Sequence, residues 1–91
     1  MVWKIEYHNK VEKDLRKLDR KAQAEVLNFF DEKIAPTDNP FLLGKPLKGR
    51  FQGCIRYCIG QYRAICQIED NQLIVLVLRV GHRRNIYDKD L

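Results

Sequence analysis

Residues 73–78 read Leu-Ile-Val-Leu-Val-Leu, an unbroken apolar run. A strand with one wet face alternates apolar and polar side chains, whereas a strand apolar on both faces belongs in the interior of a sheet. The run is too short for a bilayer, which takes about 20 apolar residues in a helix. A chain of 91 residues must therefore place neighbours on both sides of this strand. Two candidates directly precede it. Gly60-Gln61 reads as the tip of a tight hairpin and Glu69-Asp70-Asn71-Gln72 as a second one. Together they predict a three-stranded antiparallel meander, near 54–59, 62–69 and 73–80.

Before the meander the periodicity changes. Trp3, Ile5 and Tyr7 alternate with Val2, Lys4, Glu6 and His8, the pattern of a half-buried strand. Asn9 is the expected N-cap of a helix, with Glu12 as its capping-box partner. Val11, Leu15 and Leu18 form the apolar face of that helix, amid Lys10, Lys13, Asp14, Arg16 and Lys17 on a charged outer face. Asp19 can cap a second helix, in which Ala22, Val26, Phe30 and Ile34 lie on one stripe, with Leu27 and Phe29 beside it. Pro36 ends it, because the residue before a proline resists the α region. Residues 36–53 hold all three prolines and three of the five glycines, and read as a long connection. The expected fold is α+β: an N-terminal strand, a two-helix hairpin, then the meander in one small sheet, as a single domain over 1–91.

Composition narrows the class. With 45% hydrophobic and 32% charged residues the chain is globular rather than disordered. "MVWKIEY" lacks the apolar core of an export leader, so the expected location is the cytoplasm, with no membrane partner. Cys54, Cys58 and Cys66 are odd in number, which argues against a disulfide framework, and their spacing is weak as a zinc motif. They read as reduced thiols. Residues 1–43 carry eight Lys/Arg and eight Asp/Glu; residues 44–91 carry nine against four, so the whole formal +5 sits in the second half. Such asymmetry points to an anionic partner, nucleic acid first.

A two-residue loop at 60–61 pairs Ile59 with Tyr62, Cys58 with Arg63 and Arg56 with Ile65. Opposed residues share a face. One face then gathers Cys54, Arg56, Cys58, Arg63, Ile65 and Gln67; the other gathers Ile55, Tyr57, Ile59, Tyr62, Ala64, Cys66 and Ile68, a floor for the helices. Pairing Ile68 with Leu73 would set Arg63 opposite Leu78. The strand then releases Gly81, His82, Arg83, Arg84, Asn85, Ile86 and Tyr87, and Arg83 and Tyr87 can fold back over Arg56 and Arg63. Ile65, Ile74, Leu76 and Leu78 would be left on the arginine face, either as a partner site or beneath the C-terminal segment.

Guanidiniums on one groove suit a phosphodiester, since their forks bind phosphate oxygens bidentately and stay charged. They also stabilise the charge gathered in a phosphoryl transition state. A phenol can stack on an unpaired base. No cofactor or metal is needed if an adjacent ribose 2′-hydroxyl attacks. No carboxylate that could hold Mg²⁺ is expected on this face: Glu69 and Asp70 lie at a turn, Asp88 and Asp90 in the tail. His82 reads first as a hydrogen-bonded hinge residue and second as a general base. Arg79 has the parity of the helix side and can cap the strand end, while Arg84 is expected in solvent.

"GKPLKG" at 44–49, "IGQYRAICQIED" at 59–70 and "VGHRRNIYD" at 80–88 together resemble the RelE branch of the RelE/ParE toxin superfamily, over nearly the whole chain. The resemblance implies a RelE-like fold, similar in architecture to microbial RNases. It implies a bacterial type II toxin that cuts mRNA in the ribosomal A site by 2′-hydroxyl attack on the scissile phosphate. Carried over by position, Arg63 stabilises that phosphate, Arg83 acts near the leaving oxygen, Tyr87 stacks on or orients the base, and Arg56 assists at the phosphate or in the general-base machinery. Lys45, Lys48 and Arg50 would anchor ribosomal RNA, with Arg84 counted among the RNA-binding residues. Implied partners are the 70S ribosome with its rRNA and mRNA, and a cognate antitoxin through which the complex would reach operator DNA. The antitoxin would cover the apolar groove and displace the catalytic ending.

Two positions depart from the pattern. Cys58 stands where the hairpin motif usually has a basic residue, and Ile55 where it usually has an aromatic. A thiol cannot hold a phosphate as a guanidinium does. The alternatives are therefore a ParE-like toxin that inhibits DNA gyrase by binding, without nuclease chemistry, and a non-toxic remnant that only binds.

Overall fold

In the computed structural model, which describes residues 2–88, five strands form one sheet in the order β1-β5-β4-β3-β2. The strands are β1 (Lys4–Tyr7), β2 (Lys45–Pro46), β3 (Ile55–Ile59), β4 (Tyr62–Glu69) and β5 (Ile74–His82). The helices are α1 (Asn9–Arg16) and α2 (Arg20–Phe29), and a π turn over Phe30–Ile34 continues α2. Asp90 of the predicted tail lies outside the described residues.

The apolar run holds the interior position expected of it. β5 pairs with β1 in parallel and with β4 antiparallel. Val75 and Val77 are fully buried beneath the helices, while Ile74, Leu76 and Leu78 are half-buried on the other face. The helix stripe is also as predicted: Ala22, Val26, Phe30 and Ile34 are all buried. Val26, Phe30 and Ile34 share one core with Trp3 and with Tyr57, Ile59, Ala64 and Cys66 of the predicted floor. Phe30 and Tyr57 meet edge to face at 5.9 Å, a geometry that aligns one ring's positive edge with the other's negative face.

Four local expectations are corrected. First, the cap of α1 is His8, not Asn9: His8 is extended, and its Nδ1 accepts from Lys10 N at 3.2 Å. Asn9 is the first helical residue, so Glu12 falls outside the capping box. Asp19 does cap α2 as predicted, accepting from Ala22 N at 2.8 Å. Second, Asp14 does not belong to the outer face of α1. It is 2% exposed and accepts from Arg79 Nε and Nη2 at 2.9 and 2.8 Å and from Val80 N at 2.9 Å. Arg79 therefore does reach the helix side, where a carboxylate receives it.

Third, the long connection is ordered. It contains 3₁₀ turns over Pro40–Leu43 and Gly49–Phe51, and β2, which adds a fifth strand by pairing Lys45 with Arg56 and Pro46 with Ile55. Gly44 permits this approach, since a Cβ there would stand 2.4 Å from Ile55 Cγ2 and 2.9 Å from Arg56 O. Fourth, the β4-β5 register differs. Ile68 pairs with Val75 and Arg63 with Gly81, rather than with Leu73 and Leu78. The four loop residues are 70–73 rather than 69–72, with Leu73 among them at φ 55, and a bulge lies at Ile65/Cys66. Each displaces β5 along β4.

Candidate active site

The β3-β4 hairpin turns at Gly60, whose φ of 59 is the left-handed conformation such a turn requires. The turn fixes the predicted register: Ile59 faces Tyr62, Cys58 faces Arg63, and Arg56 faces Ile65. Arg56 and Cys58 thus share the face away from the helices with Arg63. Lys45, through β2, lies across from Arg56 and is exposed.

The end of β5 closes the face from the other side. Gly81 lies opposite Arg63 and His82 opposite Tyr62, and Arg83 N donates to Gln61 O at 2.9 Å. The chain then turns: Asn85 N donates to His82 O, and a 3₁₀ turn runs over Ile86–Asp88. Ile86 is fully buried in a second apolar cluster with Phe51, Cys54 and Ile65, against which Leu47 and Leu78 pack. This cluster settles much of the apolar face: Ile65 is covered by the C-terminal segment and the 3₁₀ turn at Phe51, whereas Ile74 and Leu76 remain half-buried.

Anchored by Ile86, Tyr87 folds back as predicted, and Arg56 Nη1 donates to its hydroxyl at 3.2 Å. That hydrogen bond is the main cause holding the Arg56 guanidinium above its ordinary pKa, with burial opposing and the Tyr87 and Cys58 groups assisting. Arg56 is a permanent cation. The ring of Tyr87 packs on Phe51 at 5.9 Å, and Arg50 Nη2 donates to the Tyr87 carbonyl.

Arg63 does not join this contact. Arg63 is half-buried, and its Nη1 donates to Gly60 O at 2.9 Å and Tyr62 O at 2.8 Å, turned toward the hairpin tip rather than toward Arg56. Arg83 and Arg84 are exposed. His82 Nδ1 accepts from Arg84 N at 3.2 Å, and its ring meets Tyr62 at 6.0 Å. The imidazole is thus hydrogen-bonded within the C-terminal turn. Lys48 is exposed beside the turn that carries Arg50. Among the described residues, no three His, Cys, Asp or Glu side chains are grouped as metal ligands.

Sequence reasoning missed Phe51 and the protein contact of Arg50. Both lie within the glycine-rich connection, which has no periodicity to read. The only available signal was an aromatic flanked by two glycines, Gly49 and Gly53, at φ 67 and 90.

Fold and face together define a class: a small α+β domain whose sheet face away from the helices presents arginines and a tyrosine. The family model for the ParE toxin of type II toxin-antitoxin systems, parDE, matches residues 5–87. The chain belongs to this family, within the RelE/ParE superfamily of type II toxins. It is 31% identical to Toxin RelG of Mycobacterium tuberculosis over 87 residues, covering 96% of this chain and 98% of the relative. A chain of the RelBE2 toxin-antitoxin complex of the same species superposes with a TM-score of 0.83 at 29% identity, covering 91% of this chain and 100% of that one. The fold is also that of a mutant of the E. coli toxin RelE in the free state (TM-score 0.72, 21% identity, 90% and 84% covered). The RelE-RelB complex of Pyrococcus horikoshii shares it too (0.66, 22%, 91% and 97%). Among the described residues no helix is long and apolar enough to cross a membrane.

Proposed function

We propose that this toxin is an endoribonuclease that acts on mRNA in the ribosomal A site. The observation that carries the reading is the contact between Arg56 and Tyr87, on the sheet face that also bears Arg63, with Arg83 following the end of β5. In the proposed reaction the 2′-oxygen bonds to the adjacent phosphorus as the P–O5′ bond breaks. The products are a 2′,3′-cyclic phosphate and a 5′-hydroxyl. The 2′-hydroxyl proton leaves to a base, and the departing 5′-oxygen gains one. Arg63 and Arg56 stabilise the charge on the phosphoryl oxygens, Arg63 by swinging away from the hairpin carbonyls it now contacts. Arg83 lies near the departing oxygen, and Tyr87 stacks on or orients the base.

An antitoxin is the expected protein partner, since several relatives were solved as toxin-antitoxin complexes. It would cover the half-buried Ile74 and Leu76 and displace the segment anchored by Ile86.

The test is primer extension on programmed 70S ribosomes carrying a defined A-site codon. New 5′ ends inside that codon, absent without ribosomes, are expected from the wild type. Arg63→Ala should lower the rate by a factor on the order of 10²–10³, as loss of one donor to a transition-state oxyanion does. Intact mRNA from a protein that still arrests growth would sink the nuclease reading. The ParE description of the matched family, together with Cys58 at a usually basic position, would then make gyrase inhibition the next hypothesis.

A further inference from the structure

Arg50, expected as an RNA anchor, also makes contacts within the protein. It sits in the middle of the 3₁₀ turn Gly49–Phe51, bracketed by Gly49 and Gly53 at positive φ. Two backbone bonds close that turn, Gln52 N to Gly49 O and Cys54 N to Phe51 O, each 3.0 Å. Phe51 is buried against Ile86, so the turn is fixed to the segment that bears Tyr87. The guanidinium carbon of Arg50 lies 4.7 Å from the centroid of the Phe51 ring, and Nη2 donates to the carbonyl of Tyr87. The Tyr87 ring rests on the same Phe51. Three grips therefore hold Tyr87: Arg56 at its hydroxyl, Phe51 at its ring and Arg50 at its backbone. The segment needs them, since Tyr87 is 40% exposed and its turn is closed by the bonds Asn85 N to His82 O and Asp88 N to Asn85 O.

We propose that Arg50 is a positioning residue, which with Phe51 fixes the backbone of Tyr87 so that its phenol stays at Arg56. A guanidinium stacked on an aromatic face and aimed at a carbonyl is preorganised for this task. A lysine, with a compact ammonium on a flexible stem, is not. The role belongs to the tertiary structure, because 37 residues separate Arg50 from Tyr87. The kinetic consequence rests on the nuclease reading proposed above; the contact itself does not.

The two are separated by measuring Arg50→Ala, Arg50→Lys, Tyr87→Ala and Arg50→Ala/Tyr87→Ala in two ways. The first is amide hydrogen exchange of the free proteins. Arg50→Ala should speed exchange at Asn85 and Asp88 and leave Val75 to Val80 unchanged, which also shows that the variant is folded. The second is cleavage on programmed ribosomes. Arg50→Ala should lower kcat by about 10- to 100-fold, the range expected for a misplaced catalytic group, with KM little changed. Arg50→Lys should not restore it, and the double variant should be no slower than Tyr87→Ala, because both remove one unit. Unchanged exchange at Asn85 and Asp88 overturns the proposal. So does a raised KM with a shallower salt dependence and effects that multiply with Tyr87→Ala, the behaviour of an RNA anchor. If the wild type cuts no RNA, the nuclease reading falls alone and exchange decides the Arg50 contact.

Discussion

Arg56 donates to Tyr87 through Nη1, while its Nε is buried and has no hydrogen-bond partner among the described residues. A buried donor left without a partner is costly to the fold. Cys58 lies on the same strand face, exposed, across from Arg63. It leaves the face with a thiol where a third fork would otherwise lie. On the helix side, burial governs a different phenol. Desolvation, with Asp31 and Cys66 adding to it, pushes Tyr7 from 10.0 up to about 12. The folded state therefore holds this proton more tightly than the unfolded chain does. The associated stability is fully present below pH 10.0 and is lost as pH rises toward about 12. Tyr7→Phe should flatten the fall in stability across that window, measured by urea unfolding at several alkaline pH values.

Among the elements, α1 is held to β5 by the Asp14 carboxylate, which receives Arg79 twice and Val80 N once. Both side chains are largely shielded, at 1% and 14% exposure. Removing one partner of such a pair strands the other without its counter-charge, at a typical cost of about 3–5 kcal/mol. Asp14→Ala should lower unfolding free energy by about that amount in denaturant titration. A loss below about 0.5 kcal/mol, the ordinary range of a surface change, would show that the pair does not hold the helix. Val80 directly precedes Gly81 and His82, which pair with Arg63 and Tyr62. The same carboxylate thereby fixes the level at which the C-terminal wall leaves the sheet.

Across the molecule, no carboxylate occurs between Asp38 and Glu69, the stretch that contains the first two 3₁₀ turns, β2, β3 and most of β4. The +5 formal charge is thus concentrated on one side of the chain rather than averaged over it. Affinity for ribosomes should fall steeply with salt, because phosphate neutralisation releases counterions. Lys48→Ala should flatten the log-log slope by about 1, as the loss of one phosphate contact does, whereas Arg50→Ala should leave it nearly unchanged. Filter binding across a salt series reads both slopes.

The sequence by itself determined whatever depends on periodicity and on the shortest loop. The interior strand, the buried stripe from Ala22 to Ile34, the Asp19 cap and the pairing of Cys58 with Arg63 are all near-neighbour consequences of side-chain spacing. Tertiary structure decided the rest. Asp14 reads as one more surface charge until Arg79, 65 residues away, meets it. The β4-β5 register depended on a bulge and on Leu73 at positive φ, neither of which alternation encodes. The protein contacts of Arg50, expected as an RNA anchor, are invisible in the sequence because the Phe51 ring and the Tyr87 carbonyl meet it only in the folded chain, where Ile86 is buried. Spacing fixes which face a side chain takes, whereas burial fixes which distant group meets it there.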